Sequence, residues 1–290
     1  MTVPAIERVS EHVWRVELPC ATLPPYDHVN AYVIAQGGVA VVVDPGSDEP
    51  KAQALLQSAL TQADARLVKA VALTHTHPDH TGGVQQLLDY EAVRNGDPPP
   101  VLVHAAEASN VTAWSTTYLA DGRVVTVGDV TVTALHTPGH SQGHLSFLVT
   151  GPAGGAPEAA IVGDLAVATG SVWVGLPEGD VEAYLTTLVR LEHTNAPVLA
   201  PGHGPLITNP AERLRELAAH RLEREAQVLG ALTKGSATAA EITRRVYPGY
   251  PEAVLALAEQ SVLAHLVKLM RELKVVHLGD DEQGPFALRR

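Results

Sequence analysis

Imidazole and carboxylate side chains crowd one short segment, His75-Thr76-His77-Pro78-Asp79-His80, and three more stand apart at His140, Asp164 and His203. On an extended segment side chains two apart share a face, so His75 and His77 can grip one ion. Pro78 suits the first position of a helix, which puts Asp79 and His80 at its start, aimed at a neighbouring ion. His140 would complete the first site and His203 the second. Asp164, with two carboxylate oxygens, has the character to bridge them. The donors are nitrogen and oxygen without thiolate, which points to hydrolytic rather than structural zinc, because structural sites are closed and usually cysteine-rich. Two ions ~3.5–4 Å apart can share a hydroxide whose pKa is pulled toward ~7, a nucleophile that makes Ser or Cys unnecessary. The expected cofactor is two zinc ions, and manganese or iron accepts the same donors.

Taken singly these residues have duller readings. Asp79 alone is a helix cap, and Asp164 alone is a turn residue. The lone histidines His12, His28, His104, His193, His220, His265 and His277 read as surface or satisfied core. The seven together have no such reading.

The elements that must position them follow from periodicity. Val13–Val16, Ala31–Ile34 and Val39–Val43 read as a β meander, with Gly37-Gly38 as a hairpin turn and Asp44-Pro45-Gly46 as a stop. Residues 50–62 have helical spacing. Then a pattern recurs in which an apolar run ends and a metal-type side chain follows. Leu67–Leu73 leads to His75, Val130–Leu135 to His140, Ala159–Val162 to Asp164, and Ala196–Ala200 to His203. Strand ends that deliver ligands onto loops are how a rigid sheet presents a site. Helical patterns at about 82–94, 104–119 and 180–193 lie between, which predicts an α/β layered core. The Gly/Pro-rich stretch 151–157 reads as a hairpin loop or a flexible tip between strands.

Beyond His203 the character changes. Residues 210–230 predict a charged amphipathic helix, residues 238–246 and 251–273 two more, and 275–278 with 286–288 a short hairpin around Gly279 to Gly284. Helix, helix, hairpin reads as a winged-helix module. The expected domains are 1–208 for catalysis, 209–235 as a connecting helix, and 236–290 as the winged-helix-like end.

Composition narrows the function classes. A chain of 290 residues with 46% hydrophobic and 18% charged residues is an ordinary globular protein. The single cysteine, Cys20, suits a reducing cytosol, no window offers the ~20 apolar residues of a membrane helix, and no secretory signal is read at the start. A cytoplasmic location and no membrane partner are expected. The formal charge of −12 tells against a general nucleic-acid binder. Residues 236–290 hold seven Lys and Arg against seven Asp and Glu, so the deficit lies wholly before them.

The motifs resemble those of the metallo-β-lactamase-fold hydrolases, through His75-Thr76-His77-Pro78-Asp79-His80, Pro138-Gly139-His140, Gly163-Asp164, Pro201-Gly202-His203-Gly204 and Asp44-Pro45-Gly46. The resemblance spans about residues 10–208. It implies an αββα sandwich with metals at one edge of two facing sheets. It also implies His75, His77 and His140 at the first metal, Asp79, His80 and His203 at the second, and Asp164 between. Flavodiiron members carry a Glu within the first motif, which this chain does not match, so zinc is favoured. His144, four residues after His140, is similar to a histidine found in many of these hydrolases that steadies a ligand or substrate. A buried histidine bonded to a backbone carbonyl is the other reading. Asp79 and His144 stand as the catalytic candidates, and Asp44 reads as a structural residue holding its turn. The layout of the tail is similar to the β-lactamase-like protein 2 group, which includes an endoribonuclease acting on single-stranded RNA. Antibiotic-destroying relatives are secreted and use a different bridging position, often a cysteine; neither feature is read here.

Three functions compete. The first is hydrolysis of a small acyl compound, a thioester as in the related glyoxalase II enzymes, an ester or a lactone. The basic residues that glyoxalase II uses to hold glutathione are not found. The second is a phosphodiesterase cutting single-stranded RNA, with Arg244, Arg245, Lys268, Arg271 and Lys274 as contacts; an aromatic content of 4% weighs against it. The third is a non-catalytic metal-binding protein whose winged helix meets DNA or a partner. The apolar helix at 251–273 fits packing against the core or a homodimer contact better.

Overall fold

A computed structural model of the chain describes residues 5–279 and 284–289, so the predicted hairpin tip between Gly279 and Gly284 lies outside the described residues. The chain forms two compact units whose boundaries do not follow chain order. One comprises the chain up to Thr137 with Gly143–Gly170 and Glu192–Arg213; the other comprises Pro138–Gln142, Ser171–Leu191 and the chain from Leu214.

The first unit is built on two sheets. Its larger sheet runs in chain order through β1 (Ile6–Arg8), β2 (Val13–Pro19), β3 (His28–Gln36), β4 (Val39–Val43), β5 (Leu67–Ala72), β6 (Val101–Val103) and β7 (Thr116–Tyr118). Strands β1 to β4 are antiparallel, and β4 to β7 are parallel. Parallel neighbours need crossovers, supplied by α1 (Pro50–Gln62) after β4 and by α2 (Pro78–Thr81) and α3 (Val84–Asn95) after β5. The second sheet holds β8 (Val124–Val127), β9 (Val130–His136), β10 (Leu145–Thr150), β11 (Ala159–Gly163) and β12 (Leu199–Pro201), in reverse chain order from its edge.

The valine run of β4 shows how one strand serves two cores. Ala40 and Val42 join Leu56, Leu60, Leu87 and the helical side, whereas Val41 and Val43 join Ala134, Leu145 and Phe147 of the second sheet. Alternation at a period of two sends successive side chains to opposite faces, so a strand buried on both faces is apolar throughout. Gly37 and Gly38 both take positive φ, at 63° and 84°, the conformation of a tight hairpin whose strands twist correctly.

One prediction fails. The segment 104–119 does not form a helix: it gives one six-residue 3₁₀ segment, Ala105–Asn110, and then β7. Thr116-Thr117-Tyr118 is β-branched and aromatic, and pairing with β6 outweighs the local helical spacing.

The second unit carries α4 (Val181–Glu192, up to Leu191), most of α5 (Pro210–Ala231), α6 (Ala239–Val246), α7 (Glu252–Arg271) and the antiparallel pair β13 (Val275–His277) and β14 (Phe286–Leu288). Val228, Ile242, Val262, Leu266, Leu269, Val275 and Phe286 form its core. A capping box starts α6: Thr238 Oγ1 accepts from the Glu241 amide, and the Glu241 carboxylate accepts from the Thr238 amide at 2.9 Å. Helix, helix and hairpin are found as expected.

Within the first unit, the loop after β12 is clamped by side chains of β2 and β3. Asn30 Nδ2 donates to the carbonyls of Pro201 (2.9 Å) and Gly204 (2.8 Å), and the Tyr32 hydroxyl donates to Pro201 (2.7 Å). The buried Arg15 guanidinium donates to Gly204 (3.0 Å) and pairs with Glu7 and Glu17. Asn30→Ala removes two of these donors inside the protein, and should lower unfolding free energy by roughly 1–3 kcal/mol in urea titration. An unchanged midpoint would show that the clamp carries no stability.

Candidate metal centre

Strand ends of the first unit bring His75, His77, Asp79, His80, Asp164 and His203 together. β5 ends at Ala72, and the chain runs extended through His77 before Pro78 opens α2. His75 Nε2 and His77 Nδ1 lie 3.0 Å apart, so the two rings aim at a common point. Asp79 and His80 fall in the single turn of α2. The donor atoms of Asp79, His80 and His203 lie within 4.8 Å of one another, as do those of His75, His80 and Asp164. Asp164 Oδ1 stands 3.4 Å from His80 Nε2 and 3.5 Å from His203 Nε2. His140 lies in the loop Pro138–Gln142 between β9 and β10, a segment of the second unit.

The partners of the histidines decide which nitrogen carries a lone pair. His203 Nδ1 donates to the carbonyl of His28 at 2.8 Å, and His140 Nδ1 to the carbonyl of Trp173 at 2.8 Å. A carbonyl only accepts, so in the neutral ring Nε2 bears the lone pair at both residues. His80 Nδ1 is 2.9 Å from Asp44 Oδ2, and its buried Nε2 has no aligned hydrogen-bond partner. Imidazoles fixed by an oxygen acceptor at one nitrogen and turned inward at the other have the form of metal ligands. The donor set therefore fits a divalent metal.

Asp44 does more than hold its turn. Its Oδ1 accepts the Thr74 amide at 2.8 Å, and its Oδ2 accepts the Thr74 hydroxyl at 2.6 Å, while the same oxygen meets His80. The residue takes φ 49°, uncommon outside glycine. Gly46, two residues on, is required by space: a Cβ there would sit 1.8 Å from the carbonyl oxygen of Asp79. Gly202 is required likewise, because a Cβ would lie 2.4 Å from Asp164 Oδ1 and 2.7 Å from His80 Cε1.

Electrostatics follow from this crowding. Burial works against the charged form of His203, but its bonds to Asp164 and Asp79 outweigh burial and raise its pKa to about 9. Burial also opposes the Asp79 carboxylate, yet His203, His80 and Thr22 together hold its pKa below the usual carboxylate range. Thr22 donates to Asp79 Oδ2 at 2.5 Å. Asp79 is thus an anion at neutral pH, suited to hold a cation rather than to give up a proton. Burial, with the nearby Asp79 and Glu49 carboxylates, pushes the Cys20 thiol up to about 12, which disfavours its thiolate.

His144 is fully buried, its Nδ1 3.0 Å from the Thr137 hydroxyl and its ring stacked on His75 at 5.4 Å. Three further residues escaped the sequence reading. Glu107 accepts from Thr76 Oγ1 (2.5 Å) and from the Gly143 amide (3.1 Å), and so joins the His75–His77 segment to the residue before His144. Tyr26 stacks on His203 with ring centres 5.7 Å apart. Thr22 is the third. No motif spacing marks them: Thr22 and Tyr26 reach the centre from the loop between β2 and β3, and Glu107 from the 3₁₀ segment after β6.

Residues 238–284 match the Beta-lactamase associated winged helix domain. The chain is 27% identical over 274 residues to the Beta-lactamase-like protein 2 homolog of Caenorhabditis elegans, covering 93% of this chain and 88% of that protein. It is 28% identical over 287 residues to an atrochrysone carboxyl ACP thioesterase of Aspergillus chevalieri, covering 94% and 85%. A beta-lactamase domain protein from Burkholderia ambifaria has the same fold, with a TM-score of 0.81 at 23% identity over 99% of this chain and 95% of that one. Residues 24–203 match the Metallo-beta-lactamase superfamily, and the chain is a member of that superfamily, a metal-dependent hydrolase with a winged-helix-associated C-terminal domain.

Proposed function

We propose that the chain is a dinuclear zinc hydrolase acting on a small acyl substrate, with a thioester first among the candidates. The observation that carries this reading is the paired donor set, in which Asp164 stands between His80 and His203 while His75 and His77 converge beside them. The residues that would hold the first metal are His75, His77 and His140, and those for the second are Asp79, His80 and His203, with Asp164 shared. Divalent metal held there supplies Lewis acidity, which polarises a carbonyl and makes water acidic enough to attack at neutral pH.

The protein's own groups do the rest. Asp44 and the His28 carbonyl fix His80 and His203, so the inward nitrogens do not rotate away. His144, packed on His75, fixes the tilt of that ring. Asp79 balances charge as an anion. The thioester preference draws support from the relative named as an acyl-carrier thioesterase. The donor set accepts zinc, manganese or iron, and zinc is preferred here because the first motif lacks the Glu that flavodiiron members carry; the single cysteine fits a cytoplasmic setting.

A second reading, phosphodiester cleavage of single-stranded RNA, is favoured by the near full-length similarity to the Beta-lactamase-like protein 2 homolog, tail included. The net charge of −12 weighs against it.

A parallel assay of one zinc-loaded preparation against S-lactoylglutathione, an acyl-homoserine lactone, bis-p-nitrophenyl phosphate and single-stranded RNA separates the two. Thioester or lactone turnover is expected, and cleavage of RNA alone would overturn the acyl reading. His75→Ala and Asp79→Ala should each abolish turnover and leave the circular dichroism spectrum unchanged; wild-type rates in either would remove that residue from the centre. Asp44→Asn keeps the shape but weakens the hold on His80, and should lower zinc affinity by roughly 10–100-fold in chelator competition. Unaltered affinity would make Asp44 a turn residue only.

A further inference from the structure

The second unit contains a cleft of about 490 Å³ where the C-terminal ends of α5 and α6 face each other, lined by Arg224, Gln227, Ala231, Lys234, Arg245 and Val246 among others. Three lining residues are cations and none is an acid. Among the described residues, Arg224, Lys234 and Arg245 make no ion pair. Several other cations of this unit are paired, Lys268 with Glu225 and Glu272, Arg271 with Asp180, and Lys274 with Glu272, while the buried Arg221 donates to the Val172 carbonyl. In a chain of net charge −12, three unmatched cations around one cavity are a local inversion of sign.

The guanidinium heads are also held in place. Arg224 lies over the Tyr247 ring at 4.2 Å and donates from Nη1 to Gln227 Oε1 at 2.7 Å and to the Val246 carbonyl at 3.3 Å. Its buried Nε has no hydrogen-bond partner. Arg245 Nη1 donates to the Ala231 carbonyl at 2.7 Å. Glu223, next to Arg224 in sequence, is engaged by Gln227 Nε2 at 3.4 Å. A guanidinium has five donors, so both heads keep N–H groups beyond those used.

We propose that this cleft binds the phosphate monoester of a small molecule. Its phosphoryl group would lie among Arg224, Lys234 and Arg245, with the organic part against Ala231, Val246 and Pro248. Fixed arginine forks match the oxygens of a phosphate, and a dianion balances three cations better than a single carboxylate does. The volume falls in the range of small-molecule sites. The charge is gathered in one cleft rather than drawn out as the stripe that a nucleic-acid strand follows. This site is independent of the metal centre and of the reaction proposed for it.

The test is calorimetric titration of the full chain at low salt with AMP, inorganic phosphate, adenosine and a short RNA without a terminal phosphate. AMP is expected to bind, inorganic phosphate to bind more weakly because it leaves the apolar wall uncovered, and adenosine to give no heat. Lys234→Ala/Arg245→Ala removes two exposed side chains and should weaken AMP binding by at least ~10-fold at an unchanged unfolding temperature. Raising the salt should weaken it further. AMP binding undiminished in that variant would place the ligand elsewhere, at the metal centre for instance, and overturn the proposal. Binding of the RNA alone, or of none of the phosphates, would overturn it as well.

Discussion

A buried carboxylate sets the geometry on which the centre depends. Asp44 takes one backbone amide and one hydroxyl from Thr74 and meets His80 with the same oxygen that holds the hydroxyl. It thereby locks the strand end that precedes His75 to the helical turn that follows His77. An uncompensated carboxylate at 1% exposure would be costly, so Thr74 and His80 are as necessary to Asp44 as it is to them. The left-handed backbone at Asp44 and the absence of a side chain at Gly46 are the local terms on which that turn fits under Asp79.

The same logic extends outward in layers. His203 is turned by a carbonyl from β3, and its loop is gripped by Asn30, Tyr32 and Arg15 from β2 and β3. Gly202 admits Asp164 and His80 where any Cβ would expel them. The inner ring is therefore crowded by design of the backbone: its ligands stand close because glycines and short turns let them.

Legibility in the sequence followed the range of the physics. Strand periodicity and strand-end chemistry are local, so β2 to β5, β9, β11 and the ligand loops could be read from runs such as Val39–Val43 and Leu67–Leu73. The helix, helix, hairpin order of the tail was readable for the same reason. The role of Asp44 was not, because its partners lie 30 and 36 residues away and a turn signal already accounted for it. Glu107, Tyr26 and Thr22 were silent on the same ground. The misread helix at 104–119 shows the converse, since spacing that suits a helix is overruled when an open sheet edge is available to Thr116–Tyr118. The cationic cleft escaped because Arg224, Lys234 and Arg245 come from three places in the chain, and net charge by segment averages them away.

The clamp on the loop after β12 bears on how the protein is made. Its donors lie at residues 15, 30 and 32, and its acceptors at 201 and 204, so β2 and β3 must wait for chain synthesised much later. On the ribosome, β2 and β3 emerge with an arginine, an asparagine and a tyrosine whose acceptors at Pro201 and Gly204 do not yet exist, and only Arg15 has partners at hand, in Glu7 and Glu17. Contacts of such long sequence separation form slowly, so the centre closes as a late event of folding. A nascent chain halted before residue 201 would display the first histidines without the loop that completes their surroundings.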